Sequence, residues 1–241
     1  MPGPLALCFS ILVVAIGAAI QGTVGFGLAL VAGPLLTLVE PRTVPGPMLV
    51  AGLVLTVLIA VRERSSLDIA DVKWAVVGRL PGVALGAALL SMLRTDWMAL
   101  LFGGLVLVAV AMTLSGVMFR PGPKTLVFAG LISGFMGTVA SIGGPPMALV
   151  YQGADGPKVR ATLAAYFLVG VVMSLIGLLL VGRFNSFELK WSLLLLPGIV
   201  LGFLLSAHGA RYIDRERQRI RTGVLAVSAA SAIVVIARQL I

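Results

Sequence analysis

A chain of 241 residues that is 59% hydrophobic and only 11% charged cannot cover itself with polar surface, so a water-soluble domain is excluded. It reads as an all-α polytopic membrane protein forming one membrane domain over residues 1–241. The formal net charge of +9 comes from basic residues scattered between apolar runs, which excludes the contiguous basic face that binds nucleic acid.

Apolar segments fall at roughly 5–39, 45–61, 73–93, 97–119, 125–152, 161–182, 190–210 and 222–240. The N-terminus lacks a basic region before its apolar run, so it is expected to be the first membrane segment and not a cleaved signal. A single crossing needs about 20 residues, which most of these segments match. The segments 5–39 and 125–152 do not. Each carries glycine and proline in its middle, QGTVGFGLALVAGP in one and GTVASIGGPP in the other, and each reads as a helix broken at depth or a re-entrant hairpin.

The same two segments carry a repeat. Gly22-Thr23-Val24 recurs 115 residues later as Gly137-Thr138-Val139, and PGVALG from Pro81 recurs 116 residues later as PGIVLG from Pro197. Two matches in one register indicate halves of 1–119 and 120–241, each with one interrupted segment plus three transmembrane helices. Basic residues arbitrate the orientation of the halves. If all eight segments cross, the two sides hold eight and nine lysines and arginines; if 5–39 and 125–152 re-enter, they hold five and twelve. The second count has the bias of a cytoplasmic face, so the halves read as inverted repeats with both termini outside. The arginine-rich stretch 210–221 reads as a cytoplasmic loop near anionic headgroups.

A half-helix beginning at Pro145 would turn backbone N–H groups toward the midplane, with glycines admitting a ligand to the backbone. Thr138, Ser141, Gly143, Gly144 and Pro145, with Gln152 beyond them, then form a candidate oxyanion site, matched in the first half by Gln21, Gly22, Thr23 and Gly25. Gly86, Gly103, Gly104, Gly170 and Gly177 read as small residues for close helix packing. All nine acidic residues fall in or beside loops, leaving no intramembrane carboxylate for cation or proton. Arg79 lies inside the third segment, where it either draws an anion or snorkels to the interface; Arg160 is a second candidate. Lone Cys8 permits no internal disulfide, and lone His208 has no serine motif or metal-ligand set around it. No cofactor or metal is expected, and the chain does not read as an enzyme.

QGTVGFGLALVAGPLL and GFMGTVASIGGPPMALVYQ, at corresponding places in two halves, resemble the TauE/SafE family of membrane proteins, which includes sulfite and organosulfonate exporters. The resemblance spans nearly the whole chain and implies a secondary transporter of small sulfur-containing anions in the inner membrane of a bacterial cell. Its partners are then a small anionic substrate and the lipid bilayer, with a homo-oligomer compatible with both. The alternatives are a passive anion channel and a carrier of another small anion or carboxylate; polar groups concentrated at two interruptions favour a carrier over a continuous pore.

Overall fold

The computed structural model describes residues 3–66, 69–151, 155–213 and 217–240. Among these residues, ten α-helices run in the order α1 Pro4–Val24, α2 Leu28–Val39, α3 Gly46–Arg62, α4 Ile69–Met92, α5 Thr95–Leu114, α6 Pro123–Ala140, α7 Gly144–Tyr151, α8 Gly156–Leu180, α9 Ser186–Ile213 and α10 Arg217–Leu240. Among the described residues, seven helices are long and apolar enough to cross a membrane. Leu80, Leu85, Ile176, Leu180, Leu201 and Leu205 on their outward faces are each at least half exposed, an apolar girdle that is stable only against hydrocarbon. The chain is an integral membrane protein.

Segment 5–39 divides into a 21-residue helix and a 12-residue helix. Gly25, at φ 101°, ends α1 by donating its N–H to Gln21 O at 2.7 Å, and Gly27, at φ 132°, precedes α2. Both angles suit glycine alone among the common residues. Segment 125–152 divides likewise into α6 and α7. Here the left-handed residue is Ser141, at φ 61°, and the turn closes with Ser141 N–H on Gly137 O at 3.0 Å and Ile142 N–H on Met136 O at 3.3 Å.

Other boundaries differ from the hydropathy reading, α4 beginning at Ile69 and α8 at Gly156 among them. Helix α5 stops at Leu114 although residues 115–119 remain largely apolar, because Gly116 turns left-handed at φ 64° and Phe119 N–H reaches Leu149 O on α7. The arginine-rich stretch expected as a loop is helical up to Ile213 and again from Arg217. Helix α9 begins at Ser186, ahead of the apolar run, because Asn185 and Glu188 cap it reciprocally: Phe187 N–H donates to Asn185 Oδ1 and Asn185 N–H to Glu188 Oε2, both at 2.9 Å. Glu188 is thereby buried, a carboxylate that the loop assignment did not foresee.

Helix direction follows from which residues meet. Gly198 lies on Ile11, Gly202 on Ala15 and Gly22 on Ser206, so α1 and α9 run the same way; Gly46 against Glu188 and Arg62 against Ser206 add α3 to that group. Gly78 meets Val127, Gly82 meets Leu131 and Gly86 meets Thr138, so α4 and α6 run together, and the Thr138 to Ser174 bond at 2.9 Å adds α8. The two groups oppose each other. The end of α3 pairs with the start of α8 through Glu63 and Arg160 at 2.9 Å. Residues near 42, 94 and 183 gather at one end of the bundle, where Arg42 stacks on Phe187 at 3.7 Å and Arg183 Nε donates to Leu90 O at 3.0 Å.

Candidate functional site

Between the two groups lies a cavity of about 50 Å³. The starts of α2 and α7 both reach it: Leu28, Ala29 and Leu30 line it from one half, and Gly143, Gly144 and Pro145 from the other. Phe26 of the first interruption packs on Gly144 of the second, so closely that a Cβ at Gly144 would stand 2.6 Å from Phe26 Cβ. Met48, Leu49, Phe167 and Val171 supply apolar wall from α3 and α8.

Each helix start brings N–H groups that its own ladder cannot use. In α2 the first of these, Leu28 N–H, is taken by Gln21 Oε1 at 3.1 Å, which leaves Ala29 and Leu30. Helix α7 starts at Gly144, one residue before the expected position, so Pro145 and Pro146 occupy its next two places and contribute no donor. The donors left at this turn belong to Gly143 and Gly144. Both helix starts carry partial positive charge toward the cavity.

Arg79 completes the lining. It sits near the middle of α4 and is only 1% exposed, far too buried to be snorkelling. Its guanidinium lies 4.8 Å from the Tyr166 ring centroid, and Nη1 reaches Ser133 Oγ at 3.4 Å. Nε has no hydrogen-bond partner, and among the described residues no carboxylate pairs with the side chain. The seat exists because the surrounding positions are glycine. A Cβ at Gly137 would stand 3.0 Å from Nη2, one at Gly143 3.4 Å from Nη1, and one at Gly170 would overlap Nε and Cζ outright. Gly170, which resembles any packing glycine in the sequence, is what admits the cation.

The expected site residues therefore separate. Gln21, Arg79, Ser141, Gly143, Gly144 and Pro145 line the cavity together. Gly22, Thr23, Gly25 and Thr138 do not. Gly22 abuts Ser206 on α9 and its carbonyl accepts from Arg62 Nη2; Gly25 packs on Arg160 and Leu163. The three hydroxyls are spent on backbone carbonyls, those of Thr23 and Thr138 within their own helices and that of Ser141 on another element. Thr23 Oγ1 donates to Ile20 O at 2.9 Å, Thr138 Oγ1 to Gly134 O at 2.8 Å, and Ser141 Oγ to Pro45 O at 2.9 Å. Gln152 lies outside the described residues. Arg160 is committed to Glu63 Oε1 at 2.9 Å and Thr23 O at 3.3 Å, and Arg62 Nε shares that Glu63 oxygen at 3.1 Å. Ser133 was not foreseen; its hydroxyl donates to Gly143 O at 2.6 Å and ties the turn before α7 to the Arg79 seat.

A cationic cavity lined by two helix starts has the chemistry to hold an anion inside a bilayer. The family model for the sulfite exporter TauE/SafE matches residues 10–235. The chain belongs to the TauE/SafE family. No curated protein and no solved structure matches it. TauE/SafE membership makes this a membrane transport protein, and the match takes in both interruptions, Arg79 and Gly170.

Proposed function

We propose that this protein is a secondary carrier, and an exporter, of small sulfur-containing anions such as sulfite or organosulfonates, in the inner membrane of a bacterial cell. The observation that carries the proposal is Arg79: a guanidinium 1% exposed, without a carboxylate partner among the described residues, on a cavity where two helices begin. An unpaired charge at this depth costs several kcal/mol, on the order of an effective buried-ion penalty, and an anionic substrate offsets it. Backbone N–H groups at Gly143, Gly144, Ala29 and Leu30 are the companion donors.

The halves are inverted repeats in this reading. Helices α1, α3 and α9 correspond in the duplication to α6, α8 and α4, and the opposed directions of those two groups support an axis in the membrane plane. The ends of α3 and α9 then share the cytoplasmic side, as the twelve-to-five distribution of basic residues requires. In a Cys8→Ala background, cysteines placed at Ser65 and Gln218 are expected to react with an impermeant thiol reagent from the same side. Reaction from opposite sides rules out the inverted arrangement.

Sulfite flux in proteoliposomes tests the site. Arg79→Gln is expected to weaken substrate binding by about 1.5–3 kcal/mol, the worth of a hydrogen bond to a charged group, or roughly tenfold to more than a hundredfold. Arg79→Lys keeps the charge but not the fork, and is expected to fall between that variant and the parent. Saturation and counterflow in the parent distinguish a carrier from a pore. Unchanged flux in Arg79→Gln removes Arg79 from the site.

A further inference from the structure

Resting on the anion-site reading above, the geometry points to a charge rule: we infer that the cavity selects monoanions over dianions, so that sulfite is carried as hydrogensulfite and sulfonates in their ordinary singly charged form. Among the described residues, one formal charge faces the cavity, that of the Arg79 guanidinium. Among the described residues, the cavity lining contains no second cation, no carboxylate and no histidine. A bound monoanion leaves the site neutral. A bound dianion leaves one negative charge without a cation; the Thr56 and Ser141 hydroxyls in the lining already donate to Gly52 O and Pro45 O, the Gln21 amide is neutral, and Met48, Leu49, Phe167 and Val171 offer no side-chain N–H or O–H donor.

Size sharpens the rule. A cavity of about 50 Å³ is small, so an anion that enters it gives up much of its hydration shell. Attraction to Arg79 and to the helix starts grows in proportion to the ligand's charge, whereas the cost of stripping water from it grows with the square. Doubling the charge therefore doubles the gain and raises the penalty about fourfold. The backbone donors at the two helix starts do not reverse this, because their partial charges also enter linearly. The rule fits a second feature of the lining: with no carboxylate or histidine there among the described residues to exchange a proton with it, the proton of hydrogensulfite stays with the substrate.

Chlorate and sulfite are both pyramidal oxyanions of three oxygens, with the same electron count, and differ in charge once sulfite is fully ionised. Their affinities for the purified full chain can be read from ligand-dependent thermal stabilisation at fixed ionic strength, on both sides of the hydrogensulfite dissociation. At alkaline pH chlorate is expected to bind at least tenfold more tightly than sulfite. On acidification sulfite should tighten at least tenfold while chlorate stays constant, and Arg79→Gln should weaken chlorate at least tenfold. The pH comparison needs only the parent protein, so it stands even if that variant does not fold. Dianionic sulfite binding as tightly as chlorate, with both dependent on Arg79, overturns the charge rule and leaves the anion site standing. Chlorate binding that ignores Arg79→Gln in folded protein overturns the assignment of the rule to Arg79. Stabilisation by neither anion at any pH overturns the site and the rule together.

Discussion

Gly144→Val is expected to abolish sulfite binding, with an affinity loss of at least a hundredfold, or about 2.7 kcal/mol. The bare backbone at this position does two things at once. It exposes an N–H to the cavity, and it lets Phe26 of the other half close on the turn, with no room for a Cβ at 2.6 Å from Phe26 Cβ. Valine adds three carbons there. Phe26 must retreat or α7 must shift, and either movement separates the two helix starts that face the anion. Overpacking of this kind also costs about 1–3 kcal/mol of stability, so binding is measured on protein shown to be folded and inserted. Ser141→Ala is the control. Its hydroxyl serves Pro45 O, so the substitution is expected to cost about 1 kcal/mol of stability and leave affinity nearly intact. Parent-like flux in folded Gly144→Val would make the junction a packing device and move the anion elsewhere.

Gly170→Ala is the smallest change with a comparably large expected effect. The added methyl overlaps Arg79 Nε and Cζ, and the guanidinium is already bounded by the Tyr166 ring, Ser133, Gly137 and Gly143. It cannot move aside without abandoning the cavity. Anion affinity is expected to fall at least as far as in Arg79→Gln, although the arginine is still present. Gly177→Ala is the matched comparison on the same helix: its Cβ would meet Val83 and Ala87 at 3.4 Å, an ordinary contact, and near-parent binding is expected. Equal behaviour of the two variants in affinity titrations would show that the seat of Arg79 is not what Gly170 provides.

The parts of this architecture written in periodicity and composition were legible beforehand. Spans, both interruptions and the odd charge at Arg79 all announce themselves by contrast with their surroundings. What depends on side-chain direction was not legible. Gly170 and Gly177 are indistinguishable as letters, yet one faces a guanidinium and the other a valine. Thr23 and Thr138 stand beside the helix breaks, but a hydroxyl within reach of its own helix's carbonyls satisfies itself there before it can serve a ligand. The end of α5 was hidden for another reason: hydropathy over residues 115–119 reports lipid compatibility, whereas a left-handed Gly116 decides where the helix stops.

The glycine contacts along α1 with α9 and α4 with α6 have a mechanical consequence. At Gly78, Gly82, Gly130, Gly198 and Gly202 a Cβ would collide with a carbonyl oxygen of the neighbouring helix, so the two backbones touch directly. Helices in such contact cannot slide past each other, because a step along either one brings a larger side chain against that oxygen. Each pair is a stiff beam. The seam between α3 and α8 is made instead of interdigitated side chains such as Leu49 and Val171, which repack through rotamer changes. A carrier that opened this cavity to one side and then the other would do so by rocking the α1 and α9 beam against the α4 and α6 beam, and Arg79, fixed to the second, would travel with it.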